Sequence, residues 1–86
     1  MSYAVTFSPS AKKELDRLPT KSSERIVSTI ESLAENPRPH GSLKLEGTSN
    51  QYRIRVGDYR IVYSVEDRAV HVLIIRIRHR KDAYRP

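Results

Sequence analysis

The sequence has no cysteine in 86 residues, which excludes disulfide bonds and metal sites built from thiolates. It also lacks a long apolar run: the longest, Val72–Ile75, is far shorter than the roughly 20 residues that cross a bilayer. The N-terminus shows no basic start followed by an apolar stretch and a small-residue cleavage site. From these absences we expect a cytoplasmic protein of a reducing compartment, without a membrane partner.

Hydrophobic residues are also scarce, at 37% of the chain. This low fraction does not predict disorder, because the apolar residues fall into segments with a clear helical or strand period. A chain of this length is typical of one small domain with a thin margin of stability. We therefore expect residues 1–86 to form a single domain.

The start of the sequence predicts a strand followed by a helix. Apolar residues alternate with smaller ones in a short first strand, at Tyr3, Val5 and Phe7. Ser8 followed by Pro9 is typical of a helix N-cap and first helical position. The first helix is expected to run to about Leu18, where Pro19 stops it.

A second helix is predicted after this proline. Thr20 is expected to cap it, and Asn36, which precedes another proline, is expected to end it. Its inward stripe fits the 3.6-residue period of an α-helix. The stripe consists of Ile26, Val27, Ile30, Leu33 and Ala34.

From Leu43 onward the apolar period changes to two, which indicates strands. Three strands are expected, over residues 52–56, 59–65 and about 69–78. Gly57 and Asp58, between the first two, form a two-residue hairpin turn. The resulting order is β-α-α-β-β-β. This predicts an α+β fold with a mostly antiparallel twisted sheet and two N-terminal helices packed on one face.

Positive charge is concentrated in the strand region. Residues 1–51 contain seven Lys and Arg against six Asp and Glu, whereas residues 52–86 contain nine against four. Eight of those nine are arginine. Because arginine grips carboxylate or phosphate oxygens with two parallel hydrogen bonds, this bias indicates anion binding more than solubility.

Six arginines are expected to converge at one end of the sheet. The hairpin turn pairs Arg55 with Arg60, although opposed like charges in a sheet cost up to about 1 kcal/mol. Such a pair is best tolerated where an anion lies between the two. The antiparallel return of the last strand brings further arginines to the same end. The cluster consists of Arg53, Arg55, Arg60, Arg76, Arg78 and Arg80.

The last strand leaves two questions open. If the turn between the last two strands has two residues, Arg60 shares a face with Ile75. A three-residue loop or a bulge in the last strand places Arg60 on the same face as Arg76 instead. The strand is also apolar on both faces, which is typical of burial on both. Either it is a central strand covered by the chain's own tail and loops, or a partner protein covers it. One face carries Val70, Val72 and Ile74, and the other carries Leu73, Ile75 and Ile77.

Three blocks of the sequence resemble toxins of the RelE/ParE superfamily. They are Lys44–Gly47, Tyr52–Tyr63 and His79–Tyr84. With the order of elements, the likeness covers nearly the whole chain. It implies the toxin half of a toxin–antitoxin pair, held by a cognate antitoxin protein. RelE-type members cut mRNA in the ribosomal A site. The resemblance therefore implies an endoribonuclease that inhibits translation, with the ribosome and mRNA as partners and with no cofactor or metal ion.

The resemblance also implies a mechanism. The ribose 2′-OH attacks the adjacent phosphate, leaving a 2′,3′-cyclic phosphate and a free 5′-OH. Arg60 and Arg80 match the family's two catalytic arginines, which stabilise the charge of the transition state. Tyr84 matches the C-terminal tyrosine that stacks on or orients the scissile nucleotide. Residues assigned to RNA binding are Arg53, Arg55, Arg76, Arg78 and Lys81.

The proton acceptor is not evident from the resemblance. Arg53 and Arg55 fall where some RelE toxins have catalytic lysines, but arginine stays protonated at physiological pH and cannot act as a base. Imidazole is suited to proton transfer near neutral pH, so His79 is a hypothetical base or acid. By strict strand alternation, however, it points away from Arg78 and Arg80.

Two alternative functions are compatible with the same fold. The first is a ParE-type inhibitor of DNA gyrase, which does no RNA chemistry; the His79–Tyr84 ending favours the RelE type instead. The second is a non-catalytic module that binds RNA or an acidic protein. It predicts salt-sensitive RNA binding in which the RNA stays intact.

Overall fold

A computed structural model of the protein describes residues 2–83. Five strands and three helices lie in this range, in the order β1 (Ala4–Phe7), α1 (Pro9–Asp16), α2 (Thr20–Glu35), β2 (Leu43–Lys44), β3 (Gln51–Val56), β4 (Tyr59–Glu66), β5 (His71–His79) and α3 (Arg80–Ala83). The predicted β-α-α-β-β-β order is confirmed, with two short additions. Strand β2 lies where the period of two begins, at Leu43, but was not expected as a separate strand, and helix α3 was not expected from the sequence.

The strands form one mixed sheet in the order β1-β5-β4-β3-β2. Strand β1 pairs with β5 in parallel, and the other neighbours pair in antiparallel fashion. Strand β5 therefore lies between β1 and β4 and has a strand partner on each edge. The interior position explains in part why its sequence is apolar on both faces.

The two long helices begin in different ways. Ser8 caps α1 as predicted, since its hydroxyl accepts a hydrogen bond from the Ala11 backbone N–H at 3.0 Å. The predicted cap of α2 is wrong by one residue: Pro19 occupies the N-cap position, and Thr20 is the first helical residue. Pro19 has no side-chain acceptor, so α2 starts without a side-chain cap.

The core lies between the helices and one face of the sheet. Its fully or almost fully buried residues are Ala11, Ile26, Ile30, Leu33, Ile61, Tyr63, Val65, Val72, Ile74 and Ile77. The expected inward position of Val27 is wrong, because this side chain is 37% exposed. Ile26 and Ile30 point at the sheet, and Val27 lies about 100° further round the helix, beyond the edge of that contact.

A β-bulge resolves the open register between β4 and β5. Val62 pairs with Arg76 but Tyr63 pairs with Ile74, so Ile75 is an extra residue without a partner on β4. The bulge reverses which residues face the helices. Ile77, expected on the face opposite Ile74, joins the core and is 2% exposed. The arginines that alternate with Ile77 are turned to the other side of the sheet.

Helix α1 covers the edge of β5 where β1 has ended. The Ser8 hydroxyl donates to the backbone carbonyl of Ile75 at 2.7 Å. Further along, the Glu14 carboxylate accepts a hydrogen bond from the backbone N–H of Ile77 at 2.8 Å. These contacts satisfy backbone groups of an otherwise open strand edge and tie α1 to the bulge. Among residues 2–83, no helix is long and apolar enough to span a membrane.

Candidate nucleic-acid interface

Three arginines form a row across the central strands. Arg55 of β3 is paired with Arg60 of β4, and Arg60 is paired with Arg78 of β5. Because directly paired residues share a face, all three project from the side of the sheet away from the helices. The same face carries a second row of side chains, two residues further along each strand. We call this surface, with Arg53, Arg55, Arg60, Arg76 and Arg78, the arginine face.

The second row is Arg53, Val62 and Arg76. Here Arg76 is already engaged: its Nε and Nη2 both donate to the Glu14 carboxylate of α1, at 3.2 and 3.1 Å. Arg76 thus has a structural contact that joins α1 to β5. It shares a face with Arg60, which is one of the two arrangements that the sequence left open, but its charge is partly neutralised by Glu14.

Three of the other strand arginines have no such compensation among residues 2–83. Neither Arg53, Arg55 nor Arg78 forms an ion pair with any carboxylate among residues 2–83. Fixed like charges one strand apart repel each other, by up to about 1 kcal/mol for a directly opposed pair. An anion bound above the row removes this repulsion. The arrangement is therefore suited to a phosphate group.

Arg80 lies beside the same end of the sheet, at the first residue of α3. Its backbone N–H donates to the carbonyl of Asp58 in the hairpin turn at 2.7 Å. Its Nη1 is 4.0 Å from the Asp58 carboxylate, and both side chains are about two thirds exposed. This ion pair is weak because of distance and solvent. Lys81 follows it and is also exposed.

His79 lies in a different place from the arginines. It is paired with Tyr59, in the row next to Arg60 and Arg78, so it faces the helix side of the sheet. Its ring meets the Tyr59 ring edge-on, with centroids 5.2 Å apart. Its Nδ1 accepts a hydrogen bond from the Lys81 backbone N–H at 3.2 Å. A neutral ring with Nδ1 as acceptor carries its proton on Nε2.

The predicted tyrosine of the site, Tyr84, lies outside the described residues. Its contact with the arginine cluster stays a prediction.

A depression of about 340 Å³ lies next to the row of arginines. Its size is at the lower end of the range for ligand sites, which is roughly 300–1,000 Å³. One wall is formed by Gly41 and Leu43, which lie in the loop after α2 and in β2. The remaining lining residues come from the central hairpin and are Arg53, Ile54, Arg55 and Arg60.

The loop that supplies this wall is held by a network of polar contacts, which we call the Arg38 clasp. Arg38 donates two hydrogen bonds to the Asp67 carboxylate, at 3.2 and 2.8 Å, and a third from Nε to the Tyr52 hydroxyl at 2.9 Å. Tyr3 donates to the same carboxylate at 2.8 Å. These hydrogen bonds from Arg38 and Tyr3 lower the pKa of Asp67. The bond to Asp67 in turn raises the pKa of Tyr3.

Tyr63 also holds this loop in place, from the buried core. Its ring is fully buried and stacks on Tyr52 at 5.9 Å between centroids. Its hydroxyl donates to the backbone carbonyl of Pro37 at 2.8 Å. Burial is the main cause of its raised pKa. The loop wall of the depression is therefore fixed to the core and to the clasp at the same time.

Two basic residues near the site were missed from the sequence. Arg38 follows a proline in a loop, and Arg25 lies on the exposed side of α2, so neither belongs to the strand pattern that identified the other arginines. Only their tertiary contacts single them out. The spacing of residues along the chain gives no signal for either.

Comparisons with known proteins agree on one family. Residues 5–84 match the family described as ParE toxin of type II toxin-antitoxin system, parDE. The chain is 30% identical over 86 residues to the toxin RelG of Mycobacterium tuberculosis, with 99% of each chain covered. It is 32% identical over 88 residues to the mRNA interferase toxin RelE of Escherichia coli, covering 98% of this chain and 92% of that relative.

The fold agrees with the sequence. A chain of the archaeal RelE-RelB complex from Pyrococcus horikoshii is similar with a TM-score of 0.83 and 33% identity, and the match covers 93% of this chain and 97% of that one. The family match, the sequence relatives and the shared fold lead to the same assignment. The chain belongs to the RelE/ParE family of toxins from type II toxin–antitoxin systems, and within it to the RelE type.

Proposed function

We propose that this protein is an endoribonuclease of the mRNA interferase type, which cleaves mRNA in the ribosomal A site and so inhibits translation. The observation that carries the proposal is the row of Arg55, Arg60 and Arg78, in which Arg55 and Arg78 lack carboxylate partners among the described residues. A site of this kind offers positive charge to a phosphate that becomes more negative during reaction. The name of the E. coli relative supports the same reaction.

The proposed reaction is an internal transfer at phosphorus that needs no metal ion. The 2′-oxygen of the ribose forms a bond to the adjacent phosphorus, and the bond from phosphorus to the 5′-oxygen of the next nucleotide breaks. The products are a 2′,3′-cyclic phosphate and a free 5′-OH. One proton leaves the 2′-OH and one is added to the departing 5′-oxygen. In this proposal arginine side chains stabilise the extra charge that a metal ion stabilises in other nucleases.

The proposed roles follow from position. Arg60 and Arg80 flank the hairpin end of the arginine face and stabilise the transition state. Arg53, Arg55 and Arg78 bind substrate phosphates, with Lys81 beside them on α3. Arg76 is assigned to the same function but must share its guanidinium with Glu14. Tyr84 is proposed to stack on the base next to the scissile phosphate.

Proton transfer in this reaction requires a group other than arginine. Arginine holds its proton at physiological pH, so the arginine face provides charge but no base. With Nδ1 bound to the Lys81 N–H, a neutral His79 presents a donor at Nε2. A neutral ring in this tautomer is a poor proton donor, and its lone pair at Nδ1 is already occupied, so base or acid catalysis by His79 requires the Lys81 contact to break. Its position on the helix side of the sheet counts against either role.

Primer extension on ribosome-bound mRNA tests the proposal. The wild-type protein should produce new 5′ ends within the A-site codon, and Arg80→Ala should lose most of this cleavage. A single group that stabilises charge at a reacting centre commonly contributes about 10²–10³-fold in rate. Arg68→Ala is the matched control, because Arg68 is exposed in the turn before β5, at the other end of the sheet. Intact mRNA together with inhibited DNA gyrase supercoiling would refute the proposal and support the ParE-type activity.

The role of His79 is tested in the same assay. If it transfers a proton, His79→Ala should lower the rate strongly and change its dependence on pH. Full cleavage by His79→Ala, with cleavage lost in Arg80→Ala, would exclude His79 from the reaction. Intact RNA bound by the wild-type protein after long incubation would instead indicate a non-catalytic binding module.

We further propose that a cognate antitoxin protein holds this toxin in the cell. Similar chains are found in RelE-RelB complexes from P. horikoshii and E. coli. The exposed, positively charged arginine face gives a physical reason for such a partner, which must carry negative charge to mask it. If the neighbouring gene encodes a small acidic or amphipathic protein, co-expression with it should yield a stable complex that no longer cleaves mRNA.

A further inference from the structure

A second depression, of about 550 Å³, lies on the other side of β3, between its outer edge and helix α2. We call it the Arg25 groove. The helix contributes Glu24, Arg25, Ser28 and Thr29, and the hairpin contributes Ile54, Arg55, Val56 and Gly57. The site proposed above accounts for Arg55 but for none of the helix residues.

The guanidinium of Arg25 lies close to the hairpin turn. A Cβ atom added to Gly57 would be 3.0 Å from Arg25 Nη1. Gly57 also has a φ of +58°, which favours glycine at this turn. Arg25 has no ion-pair partner among residues 2–83. The groove therefore contains a cation beside the turn, without a carboxylate partner among the described residues.

The Arg25 groove is continuous with the arginine face. Ile54 and Arg55 line both the 340 Å³ and the 550 Å³ depressions. Strand β2 pairs only with Tyr52 and Arg53, so in the described part of the chain no strand covers β3 beyond Arg53. An extended molecule can therefore pass over this edge, from Arg53 and Arg60 on one side to Arg25 on the other.

We propose that the Arg25 groove is a second phosphate subsite, which binds the backbone of single-stranded RNA several nucleotides from the scissile bond. The inference rests on the proposed RNA site of the arginine face and extends it. The Arg25 guanidinium and the Ser28 hydroxyl donate to phosphate oxygens, and Arg55 bridges the two subsites. Successive phosphates of one strand then meet cations on both sides of β3. Glu24 lowers the affinity, because its charge repels phosphate.

Binding of short RNAs to the full-length protein tests this subsite. Fluorescein-labelled RNAs, a trinucleotide and a nonanucleotide, carry 2′-O-methyl riboses so that no cleavage occurs, and affinity is measured by anisotropy at several salt concentrations. Arg25→Gln should weaken binding of the nonanucleotide by about two- to fivefold, as expected for one exposed ion pair. It should also reduce the salt slope by about 0.7. Binding of the trinucleotide should not change.

Two control variants make the test specific. Arg68→Gln removes the same charge from the far end of the sheet, and it should affect both RNAs equally and weakly. Glu24→Gln removes the opposing charge within the groove, and it should tighten binding of the nonanucleotide. The inference is overturned if Arg25→Gln behaves like Arg68→Gln and Glu24→Gln has no effect. It is also overturned if Arg25→Gln weakens only the complex with an acidic antitoxin.

Arg55→Gln separates failure of the inference from failure of the proposed function. If Arg55→Gln weakens both RNAs but Arg25→Gln has no length-dependent effect, only the second subsite is wrong. If Arg55→Gln changes neither, the RNA site itself is wrong. The RNA in the groove is the strand that flanks the scissile bond, so Arg25→Gln should bind ribosomes less tightly only when mRNA is present. An equal deficit on ribosomes without mRNA would show that the groove contacts ribosomal RNA, and it would also overturn the inference.

Discussion

Arg55, Arg60 and Arg78 lie side by side on adjacent strands, where a sheet built for stability would alternate charges. The positive charge of the adjacent Arg76 is compensated, because two nitrogens of its guanidinium donate hydrogen bonds to the Glu14 carboxylate. The first row has no carboxylate of that kind for Arg55 or Arg78 within residues 2–83. The repulsion it retains is therefore a cost in stability, which a bound anion would offset.

This reasoning predicts that Arg55→Gln makes the protein more stable while it weakens RNA binding. Removing one of two opposed like charges should raise the free energy of unfolding by about 0.5 kcal/mol at low salt. For a domain of this size that corresponds to about 2–4 °C in melting temperature. Thermal unfolding followed by circular dichroism at low ionic strength measures the change.

Salt and inorganic phosphate provide the control for this prediction. Both should raise the melting temperature of the wild type more than that of Arg55→Gln, because the wild type has more repulsion to relieve and binds the anion more tightly. Arg68→Gln should melt like the wild type under all conditions. An Arg55→Gln protein that is less stable at low salt would contradict the idea that the row is strained by charge.

At the scale of elements, the bulge in β5 decides which face receives the arginines. Ser8 connects this bulge to helix α1: its hydroxyl donates to the Ile75 carbonyl and accepts from the Ala11 N–H. Ser8→Ala removes both contacts and should cost about 1–2 kcal/mol of stability, as for the loss of a strong N-cap. Urea unfolding measures the loss.

Ser8→Thr is the matched variant for this prediction, since it retains the hydroxyl group and should retain most of the stability. Because Arg76 and Arg78 follow the bulge, Ser8→Ala should also weaken RNA binding more than an equally destabilising change elsewhere in the core, such as Ile30→Val. Equal affinities for the two variants would show that Ser8 stabilises the helix without positioning the arginines.

The bulge also marks the limit of what the sequence could predict. The β3–β4 hairpin was predicted with its register, because a two-residue turn with Gly57 fixes the pairing of Arg55 with Arg60. The β4–β5 register was left open between a two-residue turn, which puts Arg60 on the face of Ile75, and a three-residue loop or a bulge, which puts it on the face of Arg76. The bulged residue Ile75 is bound by Ser8, a residue more than sixty positions away along the chain, and a contact of this kind leaves no local pattern in the sequence.

Other differences have the same origin in tertiary contacts. Strand β2 is only two residues long, Leu43–Lys44, and exists because the loop after α2 is fixed against β3. Val27 fits the helical period but lies beyond the edge of the sheet. Arg25 and Arg38 do not belong to the alternating pattern of the strand arginines, so the sequence did not single them out. Both nevertheless contact the elements that surround the proposed RNA site. Periodicity predicted the elements and the convergence of the arginines at one end of the sheet, whereas the bulge placed the strand arginines on a common face and packing determined what surrounds that face.

At the scale of the whole molecule, the Arg38 clasp joins parts of the chain that are far apart in sequence. Asp67, in the turn between β4 and β5, accepts from Tyr3 near the start of the chain and from Arg38 in the loop after α2. The same loop forms a wall of the depression beside the arginine face. The clasp therefore couples the global fold to the shape of the proposed RNA site.

The lowered pKa of Asp67 gives this coupling a defined dependence on pH. A carboxylate whose pKa is lower in the folded state stabilises the protein above its unfolded pKa of about 3.9, and the contribution is lost as pH falls through the folded value. Asp67→Asn should therefore be less stable than the wild type near neutral pH. The difference between them should shrink as the pH falls below about 4. Melting temperatures measured across this range give the comparison.

Asp16→Asn is the control for the clasp, because Asp16 is exposed and has no ion pair among the described residues. It should match the wild type at every pH. The difference in melting temperature between Asp67→Asn and the wild type could instead stay constant from neutral to acid pH. That result would show that the Asp67 side chain acts through its shape and not through its charge. If the clasp also positions the loop wall, Asp67→Asn should weaken binding of the 2′-O-methyl trinucleotide near neutral pH, whereas Asp16→Asn should not.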